Sequence, residues 1–341
     1  MNPRLPHPSL KLRMVLIGLM ALLLYATSSH PAQPPFTDQT ATAGIAYYNT
    51  CGDPEKRFVL EAHGSGAAFF DADNDGDLDL YIANGSTFST YLEQSGPGNL
   101  LYTNTGEGTF TDATVASGTG HAGWGTGVAV GDTNNDGYRD LYLSNYGSNT
   151  LYMNGGGNTF TDHTQRAAVG GDAFSASAAF FDFDLDGDLD LFVVNYVDFT
   201  TTRNVICKSG EVRTYCDPGE FGPEGDVLYR NDGPGRPFAD ITVEAGIDQQ
   251  GRGLGVAFSD FDQDGDPDLY VANDMTANFL YRNDGQARFA EVGLSAGVAL
   301  SESARPEAGM GTDFGDCDRD GDLDIVVCNF QWESCRLYRN D

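Results

Sequence analysis

Apolar residues along the chain fall into short runs rather than into stripes of helical spacing. Five times a run rich in small residues, GAAFF, GVAVG, SAAFF, GVAFS or GTDFG, precedes a polar stretch. Five times an apolar run follows it, LYIAN, LYLSN, LFVVN, LYVAN or IVVCN. Further on come LYTN, LYMN and three copies of LYRN, and then FTDAT, FTDHT, FADIT and FAEVG. Runs of this length, rich in β-branched and aromatic residues and bounded by turn residues, predict strands. Each unit therefore reads as four short strands, with no amphipathic helix of useful length. The second strand is apolar on both faces, so both faces must be packed. The first favours Gly and Ala, as a crowded innermost strand would. Repetition of such a unit predicts a repeat architecture. Four-stranded sheets packed face to face around an axis give an all-β fold, a β-propeller.

The polar stretches share the pattern D-x-[DN]-x-D-G-x-x-D. They read DADNDGDLD, DTNNDGYRD, DFDLDGDLD, DFDQDGDPD and DCDRDGDLD. Like charges at this density repel unless a cation sits among them. Oxygen ligands at alternate positions, with a glycine at the sharp bend, suit a hard cation of calcium size. In the first loop the side chains of Asp71, Asp73, Asp75 and Asp79 are the expected ligands, with the backbone carbonyl of Asp77. The second set is Asp132, Asn134, Asp136 and Asp140, with the carbonyl of Tyr138. The third is Asp182, Asp184, Asp186 and Asp190, with Asp188. The fourth is Asp260, Asp262, Asp264 and Asp268, with Asp266, and the fifth Asp316, Asp318, Asp320 and Asp324, with Asp322. Asn134 removes one charge, so the second site is expected to be weaker. An EF-hand begins the same way but needs a bidentate Glu at position 12 and flanking helices. That position holds Ile82, Leu143, Val193, Val271 and Val327, all within strand patterns. The loops are thus expected to hold up to five Ca2+ ions within β-hairpins and to couple folding to calcium.

Composition narrows the function. The 341 residues carry a formal net charge of −31, which excludes a nucleic-acid binder of ordinary basic surface. Hydrophobic residues at 40% supply a core, so the acidity is not that of a disordered chain. Arg4, Lys11 and Arg13 precede the apolar run MVLIGLMALLLYA and the small residues ATSS. That order reads as a signal peptide over 1–28, followed by a linker over 29–34 and repeats over 35–341. Export is expected, to the periplasm, the cell surface or the medium, with no stable membrane span after signal removal. Beyond the signal the histidines are His63, His121 and His163. No nucleophile elbow, H-E-x-x-H or Cys/His signature accompanies them, so no catalytic residue is assigned. Trp124 and Trp332 read as core or rim residues rather than sugar platforms. A calcium-dependent polysaccharide lyase is the alternative function, because propellers host many activities.

The repeats resemble the FG-GAP repeats of the integrin α-subunit propeller, also called VCBS-type in bacteria. VANDMTANFLYRNDG, EAGMGTDFGDCDRDGDLD and CKSGEVRTYCDPGEFGPEGDVLYRND are similar to stretches of the cartilage acidic protein-like family. The resemblance covers about 35–341. It implies a seven-bladed propeller in an exported binding or adhesion protein, with an extracellular protein or glycan as ligand and no established enzymatic activity. Two features depart from it: five loops are present, and the C-terminal ASPIC/UnbV domain is absent. Truncation is one expectation. The other is a five-bladed ring closed by FTDQTATAGI, at 36–45, acting as the missing fourth strand of the last blade. Loops 1–2 and 3–4 of a blade share one face, and loops 2–3 and 4–1 the other. A large insertion at 196–226 in the third blade is therefore expected opposite the acidic loops, together with the loop at 85–98. Six cysteines allow fifteen pairings; Cys207 and Cys216, close together within the insertion, are the expected disulfide.

Overall fold

The structure is a computed structural model that describes residues 36–247 and 249–341. The signal peptide and linker expected over 1–34 lie outside the described residues. The chain divides into two units, Met1–Ala41 and Thr42–Asp341. In the first, the Thr40 amide donates to the Asp38 carboxylate at 2.9 Å, starting a turn.

Among the described residues, the second unit contains five antiparallel sheets, one per acidic loop, and a separate two-stranded hairpin. The first holds β1 (Ala67–Phe70), β2 (Asp79–Ile82), β3 (Leu100–Asn104) and β4 (Phe110–Asp112) in sequence order. The second holds β5 (Gly125–Gly131), β6 (Asp140–Asn145), β7 (Thr150–Asn154) and β8 (Phe160–Asp162). In the third, β9 (Ser175–Phe181) and β10 (Asp190–Asn195) are followed by a small hairpin, β11 (Cys207–Ser209) and β12 (Val212–Thr214). β13 (Val227–Arg230) and β14 (Ala239–Asp240) then complete that sheet. The fourth holds β15 (Gly253–Ser259), β16 (Asp268–Asn273), β17 (Phe279–Asn283) and β18 (Phe289–Glu291). The fifth has three strands, β19 (Gly309–Gly315), β20 (Asp324–Asn329) and β21 (Arg336–Tyr338). First strands pack side by side in chain order, β1 to β5, β5 to β9, β9 to β15 and β15 to β19. The fold is all-β and propeller-like.

The apolar second strands explain the stacking. Every residue of β6, β10 and β16 is buried. Tyr142 and Leu151 of the second sheet, with Val169 beyond its last helical turn, meet Phe180, Leu191 and Val193 of the third, and an equivalent layer fills each junction between successive sheets. Small residues in the first strands let the backbones approach. A Cβ on Gly127 would lie 2.9 Å from the Ala176 carbonyl, and one on Gly255 2.7 Å from that of Met310.

The FTDAT-type segments supply the expected fourth strands, but only with their first residues. Strand residues stop at the acid, and one helical turn follows, Thr114–Ser117, Thr164–Ala167, Thr242–Ala245 and Gly293–Ala296. The acid causes the switch: Asp112, Asp162 and Asp240 accept from the amides of Thr114, Thr164 and Thr242 at 2.9 to 3.1 Å. The threonine hydroxyl oxygens then accept from Leu101, Leu151 and Leu228 of the third strands. Residues 36–45 follow the same logic. No strand forms there; 40–44 make a turn, and the Ala43 carbonyl accepts from the Phe110 amide at 2.7 Å. Ala167 accepts from Phe238 in the same way at 2.9 Å. The segment thus ends like the helical turn after a fourth strand, and it does not supply the closing strand expected of it.

Candidate metal-binding loops and insertion face

Each acidic loop joins the first and second strands of its sheet and is built around its own aspartates. The position-1 carboxylate accepts from the amides of positions 5 and 6. Asp71 receives Asp75 and Gly76 at 3.1 and 3.0 Å, and Asp182 receives Asp186 and Gly187 at the same distances. Asp132, Asp260 and Asp316 repeat the pattern. The glycine bends the chain at φ between 90° and 102° in all five loops, a region costly for any residue with a Cβ.

The last aspartate of each loop is buried and closes it. Asp79, Asp140, Asp190, Asp268 and Asp324 accept with one oxygen from the amide of loop position 2, at 2.8 to 3.1 Å. The other oxygen accepts from the amide of the asparagine ending LYxN, namely Asn104, Asn154, Asn231, Asn283 and Asn340, at 2.7 to 3.0 Å. Four of those asparagines reach back to the preceding sheet. Asn154, Asn231, Asn283 and Asn340 donate from Nδ2 to the carbonyls of Ala72, Thr133, Phe183 and Phe261, at 2.7 to 2.8 Å. The acceptor is always position 2 of the previous loop. Sequence reading noted this asparagine without giving it a role; its recurrence in all five units was the available signal.

Carboxylates converge in four loops. Asp71, Asp73 and Asp79 offer oxygens within 4.8 Å of one another, as do Asp182, Asp184 and Asp190, and Asp260, Asp262 and Asp268. In the fifth loop the trio is Asp316, Asp318 and Asp320. Asp75, Asp186 and Asp264 turn one oxygen to the amide of position 7 instead. The second loop differs: Asn134 Nδ2 donates to Asp136 at 2.9 Å, so an amide-carboxylate contact replaces repulsion. The side chains of Asp77 and Asp266 approach the glycines of the following turns, Gly106 and Gly285. Tyr138 lies against Gly156, and Asp188 and Asp322 accept from Asn135 and Gln263 of the preceding loops.

The donor set fits a hard cation. It consists of oxygens, and Asp184 Oδ1 is buried without a protein partner. Burial pushes Asp190 up to about 8 and Asp268 to about 7, and raises Asp79 and Asp140. Burial and neighbouring aspartates also raise Asp184, Asp262 and Asp318, against the pull of Arg230, Arg282 and Arg339 from the LYRN segments. A divalent ion would reverse that penalty.

The insertion leaves β10 and returns at β13, at the sheet end opposite the acidic loops. Its hairpin is β11–β12, and the sulfurs of Cys207 and Cys216 are 2.15 Å apart. Phe199 and Phe221, on either side of the hairpin, enter a buried cluster with Val59, Leu60, Trp124, Phe174 and Tyr196. Phe88 and Tyr91 of the 85–98 loop pack onto it, so the two long loops share an end. Asn204 and Arg213 of the insertion donate to the Arg57 carbonyl. His63 lies between the rings of Phe174 and Tyr196, with centroids 4.8 and 4.7 Å away. Its side chain is partly buried, and desolvation by these neighbours drops its pKa to about 4, so it is neutral near pH 7. Trp124 is core, and Trp332 is exposed on the β20–β21 connection.

A cleft of about 230 Å³ opens at this end between the first two sheets. Tyr91, His121, Asn145, Tyr146 and Asp162 contribute to its lining. Asn145 is 1% exposed, and its Oδ1 has no protein partner. The matching oxygens of Asn84 and Asn195 are occupied by the Thr50 amide and the Ser175 hydroxyl, whereas those of Asn273 and Asn329 lack a protein partner as well. His121 also lines the wider depression beside Gly98 and Asp112, and His163 lines a groove near Arg166 and Arg236.

A family profile described as FG-GAP-like repeat matches residues 71–143, 132–193, 221–271 and 260–327. Cartilage acidic protein 1 of Mus musculus and that of Homo sapiens are each 31% identical over 119 residues. That stretch is 35% of this chain and 17% of either relative. The Xenopus tropicalis protein of the same name is 28% identical over 93 residues, 27% of this chain and 14% of that protein. A solved Agrocybe aegerita lectin, described as recognising non-reducing terminal N-acetylglucosamine, aligns with TM-score 0.42 and 16% identity. The alignment covers 77% of this chain and 61% of the lectin.

Two outcomes test this geometry. Asn231→Ala strands the buried Thr133 carbonyl and should cost about 1–3 kcal/mol, read from urea midpoints. Asn104 bonds only the Leu78 carbonyl of its own loop through Nδ2, so Asn104→Ala should cost clearly less; equal losses would deny the asparagine a role between sheets. His63 has a folded pKa below its unfolded value of about 6.5, so the unfolded chain takes the proton first. Its contribution should be complete above pH 6.5, fall by about 3 kcal/mol as pH drops towards 4, and change no further below that. The stability difference between the parent and His63→Gln, followed from pH 7 to 4, should carry that slope.

Proposed function

The chain belongs to the FG-GAP-like repeat family, and from that premise we propose that it is an exported, calcium-stabilised binding module rather than an enzyme. The family and the relatives sharing its sequence point to a non-enzymatic protein. The observation carrying the proposal is the fivefold loop with its closing aspartate, which gives calcium a structural role at one end of the sheets. Up to five ions are assigned to the five aspartate loops, with position-1, -3, -5 and -9 side chains and the position-7 carbonyl as ligands. The loop of Asp132 and Asn134 has the lowest charge and the weakest site.

The ligand surface is assigned to the opposite end. It combines the bridged insertion, the 85–98 loop and the cleft beside Asn145. A rigid scaffold carrying long structured loops at one end is a common arrangement for recognition. The ligand is an extracellular protein or glycan. Among the described residues, no helix is long and apolar enough to cross a membrane.

Calcium at about a hundredfold above its dissociation constant should stabilise each site by about 2.7 kcal/mol. Thermal unfolding in excess calcium and in chelator should therefore differ by many degrees; a shift of a degree or two sinks the metal assignment. Asp186→Ala should remove one site's share and leave the others.

The recognition surface has its own test. Ile206 and Val212 of the insertion are 63% and 67% exposed, so Ile206→Asp with Val212→Asp should leave folding intact. Arrays of acidic polysaccharides and matrix proteins would record both retention and product release. Saturable capture that the double variant loses, with an unchanged calcium-dependent midpoint, fits a binding module. Turnover abolished by Asp264→Asn in a folded chain would establish a calcium-assisted lyase instead.

A further inference from the structure

We propose that Cys328 and Cys335 form a second disulfide, closing the base of the β20–β21 connection. The register places the two residues. Ile325 stands opposite Tyr338, Val326 opposite Leu337 and Val327 opposite Arg336. One further step along each strand sets Cys328 opposite Cys335. Directly opposed residues in an antiparallel pair have Cα atoms about 4.5–5.5 Å apart. That lies inside the window of about 4.4–6.8 Å in which a disulfide closes without backbone movement. Side chains alternate along a strand, so both thiols leave the sheet on the side of Val326 and Leu337. Both thiols are exposed, and Cys335 lies near enough to raise the pKa of Cys328.

The remaining cysteines are placed otherwise. Cys207 is joined to Cys216. Cys51 Sγ lies against the carbonyls of Glu61 and His63 at 3.2 and 2.5 Å. Cys317 belongs to the fifth acidic loop, where its amide donates to Asp324 at the far end of β20.

Closure joins the two Sγ atoms and releases two protons and two electrons. The electrons pass to a disulfide oxidant, which leaves as a pair of thiols. The bridge would brace the connection that exposes Phe330 and Trp332 at 58% and 95%. Trp332 has a φ of +71°, so the loop needs a firm base to hold it in one conformation. Cys207 and Cys216 already brace the insertion at the same end of the third sheet. Two braced 2–3 connections would then face the same side, away from the acidic loops.

The test is independent of calcium and of any ligand. The purified full chain is equilibrated with oxidised and reduced glutathione, denatured, alkylated without reductant and digested with trypsin. Peptide 320–336 contains both cysteines with no internal Lys or Arg. It should appear without alkyl groups and lighter by two hydrogens, while the peptides of Cys51 and Cys317 are alkylated. In Cys328→Ser, Cys335 should take one alkyl group. Double alkylation of 320–336 while Cys207 and Cys216 remain bridged would overturn the proposal, as would a crosslink from either cysteine to Cys51 or Cys317. Cys328→Ser should also make 329–334 cleave faster in limited proteolysis and leave the calcium-dependent midpoint shift in place. A shift lost in the parent as well would condemn the calcium assignment and leave the disulfide standing.

Discussion

A buried carboxylate must have every oxygen satisfied, and the closing aspartate of each acidic loop meets that demand with two backbone amides. One comes from the loop and one from the end of the third strand, as for Asp190 with Phe183 and Asn231. The contact therefore ties together three segments of one sheet that are distant in sequence. The same asparagine passes the constraint to its neighbour through Nδ2, where Asn231 meets the Thr133 carbonyl. Loop closure, strand pairing and sheet stacking thus share one chain of hydrogen bonds. Such a network is strong when complete and costly when one member is missing. Burial raises the pKa of Asp190 and Asp268 enough to disfavour their charge near neutrality. A cation among the loop oxygens would remove that conflict, which is why the proposed metal belongs to folding rather than to recognition.

The two ends of the sheets solve different problems. The acidic end is polar and regular, and the same bonds recur from loop to loop. The opposite end is irregular and apolar, built from one-off segments around Trp124, Phe174 and Phe199. His63 sits there among aromatic rings, and desolvation disfavours its charge. This division lets loops vary at one end without disturbing the register set at the other.

Legibility in the sequence followed the same division. The strands and the acidic turns between them were readable because each depends on local spacing that recurs along the chain. Segment 36–45 was misread because FTD is strand-forming only while a third strand lies beside it, and the residues after the acid turn helical. Asn154, Asn231 and Asn283 were visible as letters, but their partners lie 82 to 100 residues away, beyond any local pattern. The aromatic cluster was hidden for the same reason. Val59, Leu60 and Phe221 follow no repeat, and only the folded chain brings them to Trp124.

One junction shows how the ends complement each other. Position 4 of the acidic loops links neighbours where it is an amide: Asn74 donates to the Gly137 carbonyl, Asn135 to that of Gly187, and Gln263 to that of Gly321. In the third loop it is Leu185, exposed and unable to donate, so the third and fourth sheets lack this link. The opposite end supplies others. Tyr196, at the root of the insertion, donates to the buried Asp274 carboxylate at 2.6 Å. Arg252 Nη2 donates to the Phe221 carbonyl at 3.0 Å, and Ser177 Oγ to that of Leu254 at 2.9 Å. All three contacts join the third sheet or its insertion to the fourth. The insertion is therefore more than a loop placed on a finished scaffold. Its root holds together the junction that the acidic end leaves unlinked at position 4, while its hairpin stays free to vary.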